Sequence, residues 1–457
     1  MNKYIYRFVC SIIMVLLSTA SFAFVWISFV RVNNQTGHLM GLGNILMALG
    51  IYAFMFSIIG KWLNAFKIGV ERKAKMVASV VITVFATNVF ELFVSLAITG
   101  QFRFFYNFLW RYILLAICQV IVLTLFVVVM IGIYRKIIPP LSLVEIVGAH
   151  DNHLASALNG IKYKYSIKES ISYSDSALED KIRLYDAVLI NDIPAEWHNI
   201  ILKKCFEQNK RVYTVPKISD IIIKSSDSIN LVDTPLFLCR NLGINGWQLA
   251  VKRFADLFLS TLALIVLSPV FAVTAIAIKL EDGGPVFFRQ ERVTLNEKRF
   301  MILKFRSMIV DAEKDGRPHP AGENDDRITK VGKVIRACRI DELPQLINIL
   351  KGDMSIVGPR PERWEHVEKY KKEIPEFSYR CKVKGGLTGY AQVYGKYNTN
   401  ALDKLKLDLL YITNYRLSLD VQIIFETVKI LFIKDSTEGF EQSKIKELHD
   451  AESNKTN

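Results

Sequence analysis

The chain has 457 residues, enough for two or three domains, and 51 % of them are hydrophobic, a high share for a soluble protein. Its formal net charge is +14, which suits nucleic acid, an anionic membrane surface or anionic substrates. It has no zinc-finger spacing, helix-turn-helix signal or aromatic-basic RNA motif, so nucleic acid is not expected, and the apolar segments favour membrane and phosphate.

Four apolar stretches, 8–30, 39–59, 76–99 and 112–134, are long enough to cross a bilayer, which takes about 20 residues. The first is too long for a signal peptide, no small-residue cleavage site follows it, and three more stretches come after. Lys3 and Arg7 precede the first; Lys61, Lys67, Arg72, Lys73 and Lys75 lie between the second and third; Arg135 and Lys136 follow the fourth. The other two loops hold only Arg31, and Arg103 with Arg111, so both ends of this bundle are expected in the cytoplasm. Asn88 and Glu91 are costly in lipid and should face the bundle interior, as a polar interhelix contact or, less favoured, in a functional role.

Residues 139–246 alternate short strands (143–147, 187–190, 211–215) with helical stretches such as 195–208, which predicts a small α/β module with a parallel sheet. Gly148-Ala149-His150 lacks the G-x-G-x-x-G spacing, so the expectation is a degenerate Rossmann-like module with a regulatory or structural role. A nearly unbroken apolar run follows at 254–278, interrupted by Ser268-Pro269. A straight helix of that length would be about 37 Å long and could cross. Yet both flanks are basic, and proline removes a backbone hydrogen bond, so a re-entrant helix hinged at Ser268-Pro269 is preferred over a plain fifth span. Residues 247–435 then read as a mixed α/β catalytic domain that contains this helix, and 436–457 as a polar, disordered tail.

The six cysteines form no CxxC pair, which fits a reducing compartment and argues against a disulfide framework or zinc site. Cys338 lies near an acid pair but has no evident histidine partner, and is expected to be a small packing residue. That pair, Asp341-Glu342, carries the chemistry. It precedes Pro344 in a neighbourhood of Arg336, Arg339, Arg360 and Lys304. One carboxylate can act as nucleophile while its neighbour holds Mg2+, which needs only one or two carboxylates beside its waters. Guanidinium forks match phosphate. The bland alternative is that Asp341-Glu342 simply opens a helix.

The blocks Lys304-Phe305-Arg306-Ser307-Met308, Arg336 through Asp341-Glu342-Leu343-Pro344-Gln345-Leu346, and Lys351-Gly352-Asp353-Met354-Ser355-Ile356-Val357-Gly358-Pro359-Arg360-Pro361 resemble the bacterial sugar transferases, the monotopic phosphoglycosyl transferases of polysaccharide synthesis. Lys252-Arg253-Phe254-Ala255-Asp256 and Ser268-Pro269 are similar to that family's re-entrant helix. The resemblance covers roughly 248–432, and four spans plus a Rossmann-like module before it resemble the long form. It implies that Asp341 attacks the β-phosphorus of a UDP-sugar and expels UMP. Undecaprenyl phosphate then takes the phosphosugar from Asp341, starting capsule, exopolysaccharide or O-antigen synthesis. It further implies Glu342 on Mg2+, Arg306, Arg336, Arg339 and Arg360 toward substrate, and Lys304 supporting the acid pair. The implied setting is the bacterial inner membrane with the catalytic domain cytoplasmic, and a homo-oligomer and polysaccharide-assembly proteins are further partners. Residues 385–396 differ from the family's usual Pro-Gly-Ile-Thr-Gly-Trp-Ala-Gln-Val and Asn-Gly-Arg. That loop, with Thr388 and Gln392, is expected at nucleotide or sugar, so glucose, galactose or an N-acetylated sugar stays open. Thr294 stands where glycine is common, and Asp408 and Tyr411 are equally readable as structural. The other readings are a membrane transferase that moves sugar alone, and a non-catalytic scaffold or sensor.

Overall fold

The computed structural model describes residues 3–29, 41–100, 102–148, 161–239, 244–310, 325–395 and 399–431, with single positions at 154, 158 and 312. The tail 436–457 and the Ala149-His150 turn lie outside the described residues. The chain divides into two compact units, 1–216 and 217–457.

The first unit opens with four helices: α1 (Lys3–Phe29), α2 (Leu42–Trp62), α3 (Lys73–Thr99) and α4 (Phe105–Ile137). All four are long and apolar enough to cross a membrane. Each packs on its chain neighbour and α1 closes against α4. The inward face repeats every four residues, as in Cys10, Met14, Ser18, Phe22 and Trp26, which are buried. The stacked rings of Phe22 and Tyr52, 4.2 Å between centroids, mark the centre of the bundle. Outward residues such as Leu16, Phe24, Phe54, Phe93 and Leu125 are apolar and exposed, a surface that hydrocarbon can cover.

After α4 come β1 (Leu141–Val147), β2 (Tyr165–Ser172), α5 (Leu178–Leu184), β3 (Ala187–Asn191), α6 (Ala195–Glu207) and β4 (Arg211–Thr214). The strands form one parallel sheet in the order β2-β1-β3-β4. The inner strands β1 and β3 are mostly apolar, a signal that the sequence announces, with the buried Glu145 interrupting β1. At the edge, β2 alternates lysine, glutamate and serine with isoleucine and lacks that signal. Gly148 is fixed by close approach: a Cβ there would lie 2.1 Å from the Asp192 carbonyl oxygen.

The second unit begins with α7 (Ile218–Lys224) and the antiparallel hairpin β5 (Asp227–Leu231) and β6 (Thr234–Leu238). Ile221 of α7 packs in one cluster with Val293, Val367, Phe377 and Leu405, so this stretch belongs with the residues that follow it. Next is α8 (Gly246–Asp282), a single helix through Pro269, also long and apolar enough to cross. Beyond it lie the antiparallel β7 (Phe287–Val293) and β8 (Arg299–Phe305), then α9 (Lys330–Ala337), α10 (Gln345–Lys351) and β9 (Ser355–Val357). The chain continues through α11 (Trp364–Glu373), the 3-10 stretch Pro375–Lys382, β10 (Gly386–Thr388), α12 (Tyr390–Tyr394), α13 (Ala401–Thr413) and α14 (Leu417–Leu431). The α/β region is therefore mostly helical, its described strands after α8 confined to the pairs β7-β8 and β9-β10.

One face of α8 stays on this unit from end to end. Near its start the Lys252 ammonium pairs with Asp420 at 2.7 Å, Arg253 donates to the Ile349 and Leu350 carbonyls, and Asp256 accepts from Ser355 and the Ile356 N–H. Ala263 and Leu264 pack beside Leu346 and Ile349, and Phe271 and Ile278 beside Phe305 and Ile335. At its end Asp282 pairs with Arg306, and Glu281 accepts from the Lys330 N–H that opens α9. Its opposite face, with Leu262, Ile265, Val266, Val273 and Ile276, is apolar and exposed.

Candidate active site

The acid pair sits in a tight turn whose geometry comes from the preceding residue. Arg339 adopts the left-handed conformation (φ 57, ψ 20), at a cost of roughly 1–2 kcal/mol for a residue with a Cβ. The chain thereby turns from α9 into a single 3-10 turn, Ile340–Glu342, and Pro344 then starts α10. Strain of this kind is held in place by packing on both sides. On one side, Asn348 of α10 is buried and closes the edge of β8. Its Oδ1 accepts from the Leu303 N–H at 2.9 Å and its amide donates to the Met301 carbonyl at 2.9 Å. This fixes the acid pair against Lys304 on β8.

Three cations converge on one oxygen of Glu342. Arg360 lies 2.7 Å from Oε1, Lys304 3.4 Å and Arg339 3.8 Å. Burial pushes the Glu342 carboxyl up, but Arg360 and Lys304 outweigh it and hold the group far below the ordinary range. Glu342 in turn raises Arg360, and burial lowers Lys304. Asp341 is the opposite case: its Oδ1 is buried and accepts no hydrogen bond from the described residues. Burial, then the neighbouring Glu342 charge, push Asp341 up, against the pull of Lys304, Arg336 and Arg339. The two adjacent carboxylates thus differ: three cations crowd one oxygen of Glu342, while Asp341 Oδ1 has no partner among the described residues.

Arg360 is delivered by a backbone-on-backbone contact. In the parallel pair β9-β10, Gly386 donates to the Pro359 carbonyl at 2.9 Å, and a Cβ on Gly386 would lie 2.1 Å from the Gly358 nitrogen. Thr294 has a definite task in the same place. Its buried hydroxyl donates to the Asp353 carbonyl and accepts from the Gly385 N–H, joining the β7 end to this loop.

Asp341, Glu342, Lys304, Arg336, Arg339 and Arg360 thus share one electrostatic neighbourhood. Arg306 is buried and its Nη2 pairs with Asp282, tying the end of α8 to β8, while its Nε and Nη1 have no hydrogen-bond partner among the described residues. Thr388 is buried with its hydroxyl 2.6 Å from that of Thr427, and the Gln392 amide donates to the Leu387 carbonyl. Ser268 bonds the Ile265 carbonyl, and the helix does not break at Pro269. Asp408 and Tyr411 are buried members of structural contacts, with Arg380 and Asp420 respectively. Cys338 is exposed on the outer side of the turn after α9 and is not a packing residue.

Two residues were not anticipated. Arg292 stands opposite Phe300 on the β7-β8 pair, on the same face as Lys304, and burial brings it down to about 10. Its Nη2 donates to Gln290, and Arg360 and Glu362 lie within electrostatic reach. A cation on the same strand parity as buried apolar residues was the readable signal. Arg380 is buried, bonds the Arg360 carbonyl at 3.0 Å, and pairs with Asp408 at 2.8 Å. Nothing in its local sequence, a polar 3-10 stretch, marks it.

Among the described residues there is no group of three or more His, Cys, Asp or Glu side chains that could cage an ion. The buried Asp341 Oδ1, unpaired beside a second carboxylate, fits instead an ion that keeps most of its waters, the habit of Mg2+.

A strained turn thus presents an unpaired carboxylate oxygen inside a cluster of fixed cations, in the same unit as a long apolar helix. Residues 247–434 match the family described as bacterial sugar transferase. The chain is 39 % identical over 254 residues to a UDP-N-acetylgalactosamine-undecaprenyl-phosphate N-acetylgalactosaminephosphotransferase of Aeromonas hydrophila, covering 54 % of this chain and 59 % of that protein. It is 35 % identical over 297 residues to a UDP-glucose:undecaprenyl-phosphate glucose-1-phosphate transferase of Klebsiella pneumoniae, covering 64 % and 63 %. With the protein of the same name from Caulobacter vibrioides, identity is 41 % over 191 residues, covering 40 % of this chain and 71 % of that one. The chain belongs to the bacterial sugar transferase family. The matches span about three fifths of the length of the first two relatives.

Proposed function

We propose that this chain transfers a sugar 1-phosphate from a UDP-sugar to undecaprenyl phosphate and releases UMP. The observation that carries this reading is the division of labour in the acid pair: Glu342 is held by three cations, while the buried Asp341 Oδ1 has no partner. Asp341 is the nucleophile. Its carboxylate oxygen bonds to the β-phosphorus as the bond from that phosphorus to the α,β-bridging oxygen breaks, and UMP leaves with that oxygen. An oxygen of undecaprenyl phosphate then attacks the same phosphorus, frees Asp341 and gives the lipid-linked sugar diphosphate. Lys304, Arg336, Arg339 and Arg360 outnumber the two carboxylates by two, and that surplus meets the phosphates of the donor. Glu342 and Asp341 would hold Mg2+, which supplies charge neutralisation at the diphosphate. The sugar is a hexose or N-acetylhexosamine, as the relatives' names include both.

The catalytic unit sits on the cytoplasmic face of a bacterial inner membrane. Contacts of both ends of α8 with one unit support a helix that enters the bilayer from one side and does not cross it, its apolar outer face in the lipid. The parallel four-stranded sheet before it is a Rossmann-like module with a regulatory or structural role.

The test is UMP release by membranes holding the full chain, with undecaprenyl phosphate, Mg2+ and a panel of UDP-sugars. UMP from one donor, reduced on the order of 10⁴-fold or more by Asp341→Asn, is the expected result. UDP as the product points instead to transfer of sugar alone, and UMP release that survives the substitution removes Asp341 as nucleophile.

A further inference from the structure

The short helix α10 separates two groups of cations. The acid pair and its cations stand before its first turn, and Gly352 follows its last. With seven residues the helix is about 10 Å long, so the far end is a place apart from the reacting carboxylate. Gly352 lies in the left-handed region (φ 93), where a side chain is strained, and its backbone therefore carries none. The point that a Cβ on Gly352 would occupy is 3.5 Å from Arg253 Nη2 and 3.7 Å from Lys384 Nζ. Two cations far apart in sequence thus converge over one bare glycine.

No carboxylate joins them. Arg253 gives one hydrogen of each terminal nitrogen to the Ile349 and Leu350 carbonyls, and the Lys384 ammonium makes no hydrogen bond or ion pair with any described residue. Asp353 lies within electrostatic reach of Lys384 but forms no ion pair among the described residues, and Asp256 already accepts from Ser355 and the Ile356 N–H. Lys298 adds a third positive charge to the neighbourhood. Burial, then the Arg253 charge, push the Lys384 ammonium below its ordinary value. Like charges held this close without a counter-ion leave room for an anion.

The helix that carries Arg253 says which kind of anion. One turn before Arg253 is Leu249 and one turn after it Leu257, exposed at 50 % and 39 %, and Phe254 and Phe258 beside them are exposed as well. Arg253 is therefore a cation set in an outward apolar surface where α8 begins. A lipid satisfies both parts at once, with its headgroup on the cation and its chain along the apolar side chains. We propose that Arg253 and Lys384, over Gly352, bind the phosphate of an anionic membrane lipid. The site rests on the placing of the outer face of α8 in lipid, and is independent of which carboxylate is the nucleophile.

The test uses the full chain in four preparations: nanodiscs of phosphatidylcholine, the same with phosphatidylglycerol, the same with undecaprenyl phosphate, and phosphatidylcholine discs with added inorganic phosphate. Acetylation of Lys384 by an amine-reactive ester is followed by peptide mass spectrometry, with the exposed Lys382 as internal reference. An anionic lipid at ten times its dissociation constant should slow Lys384 about elevenfold relative to Lys382. Arg253→Gln should weaken that binding about fivefold, the share of one basic residue at a lipid surface. Lys384→Gln breaks no hydrogen bond or ion pair among the described residues, and keeps the test open if Arg253→Gln does not fold. It should lower by one the phosphatidylglycerol molecules retained on the chain in native mass spectrometry. Protection by phosphatidylglycerol identifies a phospholipid headgroup as the ligand, and protection by undecaprenyl phosphate alone identifies the acceptor lipid. Equal rates in all four preparations overturn the proposal, as does a lipid count unchanged in Lys384→Gln. Inorganic phosphate that protects as well as either lipid makes the ligand a soluble anion and overturns the lipid site.

Discussion

The acid-pair cluster and the Arg380 cluster use the same residue types, yet their charge balance is opposite. Around Arg380 the ion pairs within 4 Å are matched: Asp408 at 2.8 Å, Glu362 at 3.6 Å, and Lys404 3.9 Å from Glu362 join two cations to two carboxylates. Around Asp341-Glu342, three cations lie within 4 Å of one oxygen of Glu342, and Asp341 has no ion pair among the described residues. A balanced buried network specifies a structure, whereas a surplus of fixed cations waits for an anion. The two are joined by one bond, Arg380 to the Arg360 carbonyl, so the balanced cluster positions an arm of the unbalanced one.

The largest effect expected is on the balanced side. Arg380→Met leaves Asp408, 1 % exposed, without its cation, and should cost about 3–5 kcal/mol in denaturant unfolding of the full chain in detergent. Arg360→Met should behave differently. The Arg360 side chain is 39 % exposed and Glu342 keeps Lys304, so stability should change far less while UMP release collapses. Equal losses of stability in the two variants would erase the distinction drawn between the clusters.

Much of the unbalanced cluster could be read in the sequence, because its members lie in short dense blocks around Lys304, Arg336 to Glu342, and Arg360. The apolar helices and inner strands were readable for the same reason, since their signal is local. The balanced cluster was not. Arg380, Glu362 and Asp408 come from three separated stretches, each an ordinary polar segment, and only the fold brings them together. Arg306 also lies in a dense block, yet its ion-pair partner Asp282, 24 residues earlier, could not be read from it. Local density marks a conspicuous residue without giving its partner. Edge strand β2 and the continuity of α8 through Pro269 were decided by tertiary contacts, which override local propensity.

Asn348 offers an intermediate test, because it touches the unbalanced site only through backbone. Asn348→Leu keeps the branched heavy-atom skeleton but strips the Leu303 N–H and Met301 carbonyl of their partners. The expected loss is about 1–3 kcal/mol of stability in thermal or denaturant unfolding. UMP release should fall more than that loss explains, since α10 then no longer fixes the acid pair against Lys304. A stability loss with full specific activity would make Asn348 a core residue only.

The smallest effect is also the most direct probe of the surplus charge. Asp341 is raised above its ordinary value by burial and then by Glu342, with Lys304, Arg336 and Arg339 pulling it down. An attacking carboxylate must be ionised, so the acid limb of the rate profile should lie above the usual carboxylate range, with activity rising as pH rises through it. Arg336→Gln removes one downward pull, so its acid limb should move to higher pH, apart from any loss in the plateau rate. Stability carries the matching sign. A carboxyl raised on folding contributes stability that is full below its unfolded pKa and is lost as pH rises through the folded one. Asp341→Asn should therefore lose that part of the slope and be no less stable than the parent near neutral pH. An acid limb that stays in place in Arg336→Gln would mean that the group titrating in the profile is not Asp341, and the surplus of cations would then have to be assigned to substrate alone.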